Sequence, residues 1–407
     1  MTSNIDLSPL FQPTQIGAVT VRNRVLMSAL TRNRALPTNV PNDLMVEYYR
    51  QRAESAGLIV SEGILVCQQG YRARRHICIY SWMLSGAFSR TEWPHAPGIW
   101  NQEQIHGWKK INDAIHGAGS KSFAQIWHLG RVSHPDAPDQ IASGQPVYGP
   151  SAIAARGGRF RFLPGIPGYV TPTEIDDPVK LVALYKQAAI NAKEAGFDGV
   201  EVHAANGYLI HEFLDSGSNI RTDEWGGSLE NRSRFGLEVL QAVIDIWGTG
   251  RVGIKLSPSG GYNDMGMPLE ETLETYKYFI TEIDRLGLAY IVLQRYSEFL
   301  DPIIDGKRRA IKHDVVHAYG HLVKKSTLLS NGDFTPEEAA EYIAAGKVVG
   351  VFWGHLWVSH PDLAKRIQNG KPIDTPIDMH NLYGNACGTT LDDQRVGYTD
   401  YPFAEYP

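Results

Sequence analysis

The sequence contains few cysteines, no excess of basic residues and no long apolar run. Its 407 residues include three cysteines, Cys67, Cys78 and Cys387, and no pair has the spacing of a CxxC-type site. Neither a disulfide scaffold nor a metal site is therefore predicted. The 39 basic and 44 acidic side chains give a formal charge of −5 without a basic stripe, which argues against nucleic-acid binding.

Membrane spans and targeting signals are also missing. The most apolar stretch, residues 348–358, is too short to cross a bilayer. The first six residues lack the basic and apolar regions of a signal peptide. We therefore expect a cytoplasmic protein that has no membrane partner and keeps its cysteines reduced.

Short apolar segments alternate with amphipathic segments along the chain. The apolar segments are rich in β-branched residues and apolar on both faces, as in a parallel sheet that is covered on both sides. Strands are predicted at residues 25–29, 58–66, 122–127, 199–203, 252–256, 290–293, 327–330 and 348–352. Helices are predicted at residues 104–116, 178–195, 229–247, 269–286, 313–324, 336–345 and 361–368. This order predicts an α/β fold, a single (β/α)8 TIM barrel domain over residues 1–407.

A doubly wound sheet is the alternative fold, and it would carry a GxGxxG motif after its first strand. The only match, GTGRVG at 248–253, follows a predicted helix and leads into a strand, so we interpret it as a turn. Two additions to the barrel are predicted. Residues 11–24 should form an N-terminal β-hairpin that caps the barrel floor, and residues 130–176 should form a long lid loop after strand three.

The residues best suited to catalysis cluster at the end of the predicted fourth strand. His203 and Asn206 can both donate hydrogen bonds to one oxygen atom, and Tyr208 adds a phenolic proton. This combination can polarise a carbonyl group and protonate a nearby carbon. On the residues alone, a histidine that merely caps a backbone group is equally plausible. The position at the carboxyl end of a barrel strand favours catalysis.

These residues also open the longest motif of the chain. HAANGY at 203–208 is followed by DSGSNIRTDEWGGSLENR at 215–232, and together they resemble the signature of the Old Yellow Enzyme family. The resemblance covers nearly the whole chain, from NRV at 23–25 through SEG at 61–63 to GYTDYP at 397–402. It implies an FMN-dependent oxidoreductase, an ene reductase, on a (β/α)8 barrel.

The resemblance also implies which residues bind FMN, with NADPH or NADH as the reductant. The end of the first strand would contact the flavin ring, with the Thr31 hydroxyl near its reactive edge. Glycine turns after strands seven and eight would hold the phosphate, the usual phosphate station of such barrels. The implied cofactor-binding residues are Ala29, Leu30, Thr31, Gly63, Gln125, Lys255, Gly332, Asp333, Gly354 and His355.

For the substrate, the resemblance implies a small enone or enal. His203 and Asn206 would bind its carbonyl oxygen, and Tyr208 would donate the proton. Trp127 would form a wall of the pocket and Tyr383 would lie above the flavin, although both could be rim aromatics without a binding role. No macromolecular partner is implied, and a homodimer is left open.

Two positions depart from the family pattern. Lys255 stands where the family has an arginine facing the flavin, and His355 stands where it has an arginine at the phosphate. Lysine is a point charge, and an unperturbed histidine is charged only below about pH 6.5, so the phosphate clamp is weakened.

These substitutions motivate a second hypothesis, a non-redox isomerase or cyclase with FMN structural or absent. Such an enzyme would use His203, Asn206 and Tyr208 as an acid pocket. A binding protein without catalysis fits poorly, because the acid and both carbonyl donors are retained.

Overall fold

The computed structural model describes residues 5–35, 39–68, 93, 95–158, 168–384 and 393–406. Its strands are β1 (Thr14–Ile16), β2 (Val19–Val21), β3 (Val25–Met27), β4 (Leu58–Val60), β5 (Ile64–Leu65), β6 (Lys121–Trp127), β7 (Tyr148–Gly149), β8 (Thr173–Glu174), β9 (Gly199–Ala204), β10 (Val252–Leu256), β11 (Tyr290–Gln294), β12 (Thr327–Asn331) and β13 (Gly350–Trp353). Its α-helices are α1 (Asp43–Ala53), α2 (Gln102–Gly117), α3 (Pro138–Ser143), α4 (Pro178–Glu194), α5 (Leu209–Leu214), α6 (Leu229–Trp247), α7 (Leu269–Leu286), α8 (Val315–Tyr319), α9 (Pro336–Ala344), α10 (His355–Ser359) and α11 (Leu363–Gln368).

Eight of these strands form a closed parallel barrel. They follow the order β3, β4, β6, β9, β10, β11, β12 and β13, and β13 pairs with β3 to complete the circle. Each of the eight predicted strands overlaps one of them, so the predicted (β/α)8 barrel is confirmed. The predicted strand at residues 58–66 is interrupted and divides into β4 and β5. The register places Lys255 of β10 directly beside His203 of β9, near the carboxyl ends of both strands.

The barrel is packed on both faces of its sheet. Every residue of β9 and β10 is buried, which explains their nearly continuous apolar sequences. Inside the barrel, Phe123, Tyr290 and Phe352 pack with aliphatic side chains of the neighbouring strands. Outside it, the apolar faces of the helices cover the strands in one continuous core. Apolar burial of this kind is the main stabilising contribution to such a fold.

The predicted hairpin is also present. β1 and β2 pair antiparallel, and their buried residues Ile16, Val19 and Val21 join the cluster that fills the barrel interior. The turn lies against the 3₁₀ turn that precedes β10, where the Ala18 N–H donates to the Gly250 carbonyl oxygen at 2.7 Å. A Cβ atom at Gly17, whose φ is +55°, would come within 2.3 Å of that oxygen, so the turn depends on glycine.

The predicted helices are confirmed closely for α6 and α7 but not for residues 313–324. There, α8 ends at Tyr319 and a 3₁₀ turn follows over Gly320–Leu322. A glycine at this point weakens the continuing helix, which explains its early end. The sequence analysis did not predict α1, whose buried face contains the polar residues Gln51 and Arg52 beside Tyr48 and Tyr49.

The segment 130–176 has more structure than the predicted lid loop. Its described part contains α3 and the short parallel pair of β7 and β8. Its role as a lid stays a prediction. No helix in the described part of the chain combines the length and the apolar character that a bilayer span requires.

Candidate active site

A cavity with a volume of about 400 Å³ opens at the carboxyl ends of the barrel strands. Every predicted site residue except Gly63 lines it, although the sequence separates them by more than 300 positions. The predicted residues on its wall are Ala29, Leu30, Thr31, Gln125, Trp127, His203, Asn206, Tyr208, Lys255, Gly332, Asp333, Gly354, His355 and Tyr383. The structure therefore brings them together in one place, while their individual roles stay predictions.

His203 is prepared to act as a neutral hydrogen-bond donor. Its Nδ1 atom accepts from the Ala205 backbone N–H at 3.3 Å, which leaves the ring proton on Nε2. Burial, and to a smaller extent the positive charge of Lys255, lower the pKa of His203 well below its usual range. The ring stacks parallel to Trp127 at 5.8 Å between centroids, which fixes its plane.

Hydrogen bonds hold both the backbone and the side chain of Asn206. Its φ is +56°, a left-handed conformation that asparagine tolerates better than most residues. The backbone N–H donates to Ser257 Oγ at 2.8 Å, and the carbonyl oxygen accepts from Asn263 Nδ2 at 2.9 Å. The side-chain Oδ1 accepts from Gln294 Nε2 at 3.0 Å. The Nδ2 group remains as a donor on a residue of the cavity wall.

Tyr208 completes this end of the cavity. Its ring meets the Trp127 indole edge-on at 4.6 Å and the His203 ring edge-on at 5.1 Å. Tyr208 is only 4% exposed, so its phenol lies in an environment from which bulk water is largely excluded. A phenolic acid, a neutral imidazole donor and an amide donor therefore occur within one small, mostly apolar region.

A second polar group lies deeper in the barrel. Gln125 Nε2 donates to Glu201 Oε1 at 2.7 Å, and the Tyr290 hydroxyl donates to Glu201 Oε2 at 3.1 Å. Lys255 Nζ donates to Ser28 Oγ at 3.2 Å. Burial raises the pKa of Glu201 and lowers that of Lys255, while their mutual attraction opposes both shifts.

This arrangement fits the pyrimidine edge of a flavin. The bond to Glu201 uses one Gln125 amide proton and leaves its Oε1 atom as an acceptor for an imide N–H. Lys255 is buried and would place a cation near an imide oxygen that gains negative charge on reduction. The side chains at the barrel centre therefore suit FMN, although a lysine stands where the family has an arginine.

The end of the cavity that is predicted to bind the FMN phosphate, the phosphate end, is less firmly fixed than the end with His203 and Asn206. Asp333 is exposed, with φ +52°, and brings a negative charge to the turn after β12. His355 begins α10, and Phe299 meets its ring edge-on at 4.9 Å. Burial lowers the pKa of His355, with a smaller opposing effect of Asp333. Arg295, whose backbone approaches Gly332, pairs instead with Glu338 at 2.8 Å.

Gly63 occupies a different place from the other predicted residues. It is buried behind Trp127, and a Cβ atom there would lie 2.7 Å from the indole ring. The glycine therefore sets how closely Trp127 approaches the barrel. Its contact with the flavin stays a prediction. Of the cysteines, Cys67 is buried with its pKa raised to about 12, while Cys78 and Cys387 lie outside the described residues.

Several residues of the cavity were not predicted individually from the sequence. Among them are Ser28, Gln294, Phe299 and Trp93. Gln294 had one usable signal, because it is a polar residue at the carboxyl end of a barrel strand. Trp93 packs against Tyr383, with ring centroids 4.8 Å apart, a contact between distant segments that local sequence does not encode.

A barrel with these two polar groups at its carboxyl end has the features of a flavin-dependent oxidoreductase, and comparison with known proteins supports this class. Residues 9–374 match the model of the NADH:flavin oxidoreductase / NADH oxidase family. The NADP-dependent oxidoreductase lnbE of Aspergillus flavus is 36% identical, over 98% of this chain and 97% of that relative.

Solved structures agree with this result. Morphinone reductase is 35% identical with a TM-score of 0.78, over 99% of this chain and 97% of its own. The Old Yellow Enzyme from Trypanosoma cruzi is 30% identical with a TM-score of 0.81, over 98% and 100%. The chain belongs to the NADH:flavin oxidoreductase family, which includes the Old Yellow Enzymes. It is an NAD(P)H-dependent oxidoreductase whose cofactor is FMN.

Proposed function

We propose that this oxidoreductase reduces the carbon–carbon double bond of α,β-unsaturated carbonyl compounds. The observation that carries the proposal is the group formed by His203, Asn206 and Tyr208 at one end of the cavity. The two N–H donors of His203 and Asn206 suit the carbonyl oxygen of an enone or enal, and the Tyr208 phenol suits protonation of the α-carbon. NADPH or NADH is the reductant.

Bound FMN would supply the hydride chemistry, from the nicotinamide of the reductant to the β-carbon of the substrate. The chain's own residues would hold the cofactor by its two ends. Gln125 and Lys255 would face the pyrimidine edge, and Ala29, Leu30 and Thr31 line the cavity between the two ends. The turns with Gly332 and Gly354 would offer backbone N–H groups to the phosphate.

At the reacting end, the side chains of the protein orient the substrate and move the proton. His203 Nε2 and Asn206 Nδ2 bind the carbonyl oxygen and stabilise the negative charge that develops there. Tyr208 delivers its phenolic proton to the α-carbon. Trp127 keeps the His203 ring in its plane and helps to exclude water from this region.

The experiment is turnover of a cyclic enone with and without NADPH, with analysis of the product. The proposal predicts a saturated ketone that forms only with the reductant, in an amount that equals the NADPH consumed. The isomerase or cyclase hypothesis predicts instead a product with the same mass as the substrate, formed without NADPH. A broad panel of activated alkenes that all remain unreduced by the flavin-loaded protein would contradict the proposal.

A further inference from the structure

We infer that Gln294 is a positioning residue for the substrate's carbonyl oxygen, because it determines which end of the Asn206 amide faces that oxygen. The inference rests on the proposed function for the identity of the substrate. It concerns a residue that contacts Asn206 from a different barrel strand, β11, and has no part in the proton transfer.

The backbone contacts of Asn206 do not determine the orientation of its side-chain amide group. Ser257 accepts from its N–H at 2.8 Å and Asn263 donates to its carbonyl oxygen at 2.9 Å, so the main chain is fixed. The side-chain oxygen and nitrogen have nearly the same size, and rotation by 180° exchanges them. Only a hydrogen-bond partner of the side chain can choose between the two orientations.

Gln294 is that partner. It is 5% exposed at the end of β11, and its Nε2 donates to Asn206 Oδ1 at 3.0 Å. With Oδ1 engaged, Nδ2 is the end that can donate to a ligand. The opposite orientation would place Oδ1 beside the carbonyl oxygen of the substrate, and two acceptors would then face each other.

The choice matters because the site has few donors. His203 is neutral, so it supplies one N–H through Nε2, and Asn206 supplies the second. Loss of one donor from a water-poor oxyanion site typically lowers the rate by about 10²–10³-fold. An incorrectly oriented Asn206 would remove a donor and add a repulsive acceptor.

Two substitutions of similar size separate orientation from packing. Gln294→Met removes the side-chain donor and leaves the Asn206 side-chain amide free to rotate. As the probe we use a phenol whose oxygen takes the place of the substrate's carbonyl oxygen. We expect its affinity to fall about tenfold, which corresponds to the loss of one polar contact. Gln294→Glu introduces a carboxyl group that, when ionised, can only accept. It should attract Asn206 Nδ2 away from the cavity and cost on the order of 10²-fold.

The measurement is the dissociation constant of para-hydroxybenzaldehyde for the flavin-loaded protein, from the change in flavin absorbance between pH 5 and pH 8.5. A protonated carboxyl group can donate to Asn206 Oδ1 as glutamine does, whereas a carboxylate cannot. The affinity of the Gln294→Glu variant for para-hydroxybenzaldehyde, relative to that of the Gln294→Met variant, should therefore fall as pH rises. Both variants keep the phenol and the other ionisable groups of the cavity, so the comparison removes their contribution. These groups are His203, Tyr208, Lys255, Tyr262, Asp333, His355 and Tyr383.

A double-mutant cycle tests whether the effect passes through Asn206. In an Asn206→Ala background, Gln294→Glu should change phenol affinity by no more than about twofold. Equal losses in Gln294→Met and Gln294→Glu, an unchanged affinity in Gln294→Glu at pH 8.5, or full additivity in the cycle would each overturn the inference. Because phenol binding needs no turnover, these outcomes stay distinct from a failure to reduce alkenes.

Discussion

The two ends of the cavity are held by the protein in different ways. At the end predicted to bind the substrate carbonyl, the carbonyl end, His203 and Asn206 are each fixed by hydrogen bonds to neighbouring residues. The His203 ring also stacks on the buried Trp127 ring. At the phosphate end, Asp333 is exposed, and the pKa of His355 is lowered by burial. The residues predicted to bind the substrate are therefore more firmly fixed than those predicted to bind the FMN phosphate.

The difference follows the two positions at which the family's arginines are replaced, Lys255 and His355. The positive charge predicted to face the flavin is retained by Lys255, which is buried beside Ser28 and near Glu201. At the predicted phosphate site a histidine, His355, replaces the family's arginine, and burial makes this histidine harder to protonate. We therefore expect substitutions at the carbonyl end to change rates and substitutions at the phosphate end to change cofactor affinity.

The largest effect is expected for Tyr208→Phe. Loss of a positioned general acid typically slows its step by about 10²–10⁴-fold. Stopped-flow traces should show that NADPH still reduces the flavin at nearly the normal rate, while reoxidation by an enone is slow. If both half-reactions slow equally, Tyr208 has another role and the carbonyl end is not specialised for protonation.

Lys255→Met should affect the reductive half-reaction. The substitution removes the cation that stabilises negative charge at the flavin edge, and loss of such a contact costs on the order of 10²-fold in rate. It also leaves Glu201 without its neighbouring positive charge. The rate of flavin reduction should therefore fall more than FMN affinity, as measured by stopped flow and by titration of the apo-protein. A larger loss of FMN affinity than of reduction rate would show that Lys255 acts mainly in binding the flavin.

The phosphate end should respond to His355→Arg. A guanidinium is charged at every accessible pH and can bind phosphate with two hydrogen bonds, so FMN should bind about tenfold more tightly near pH 7. In the parent chain, bound phosphate favours the protonated ring. Affinity therefore falls as pH rises from the lowered pKa of free His355 to its higher pKa in the complex, and it is flat above both.

The control for this pH dependence is His355→Gln, which is neutral throughout. FMN's own phosphate titrates in all three proteins, so the difference between their affinity curves isolates the histidine. Curves that run parallel for the parent chain and His355→Gln from pH 5 to pH 8.5 would mean that His355 does not contact the phosphate.

The smallest effect is expected for Phe299→Ala. The Phe299 ring covers His355 edge-on at 4.9 Å, and its removal should return water to the imidazole. Better solvation raises the histidine pKa toward its usual value, so FMN affinity near pH 6 should improve by less than the His355→Arg substitution achieves. Reduced affinity instead would show that Phe299 itself packs against the cofactor.

Local sequence was sufficient to predict the barrel. The strands are short, apolar on both faces and separated by amphipathic helices, and α6 and α7 begin and end where predicted. α1 was missed because the burial of its polar residues Gln51 and Arg52 is decided by tertiary packing. The early end of α8 has a local signal, Gly320, that the predicted helix ran past.

The site was predicted in part. Motif residues such as His203 and Asn206 were identified from the sequence, because strand ends of a barrel converge on one face. The partners that orient them were not. Gln294 reaches Asn206 across 88 positions, and Phe299 covers His355 from another loop. Neither contact leaves a local pattern, since each depends on how separate loops meet above the barrel.

We propose that the intact group of His203, Asn206 and Tyr208 makes this chain a reductase of activated alkenes, although the predicted phosphate site lacks the family's arginine. The most direct test is an anaerobic titration of the flavin-loaded protein, followed by its visible absorption. NADPH should bleach the flavin band, and a cyclic enone added afterwards should restore it and yield one equivalent of saturated ketone. A bleached flavin that no member of a broad enone and enal panel reoxidises would contradict the claim.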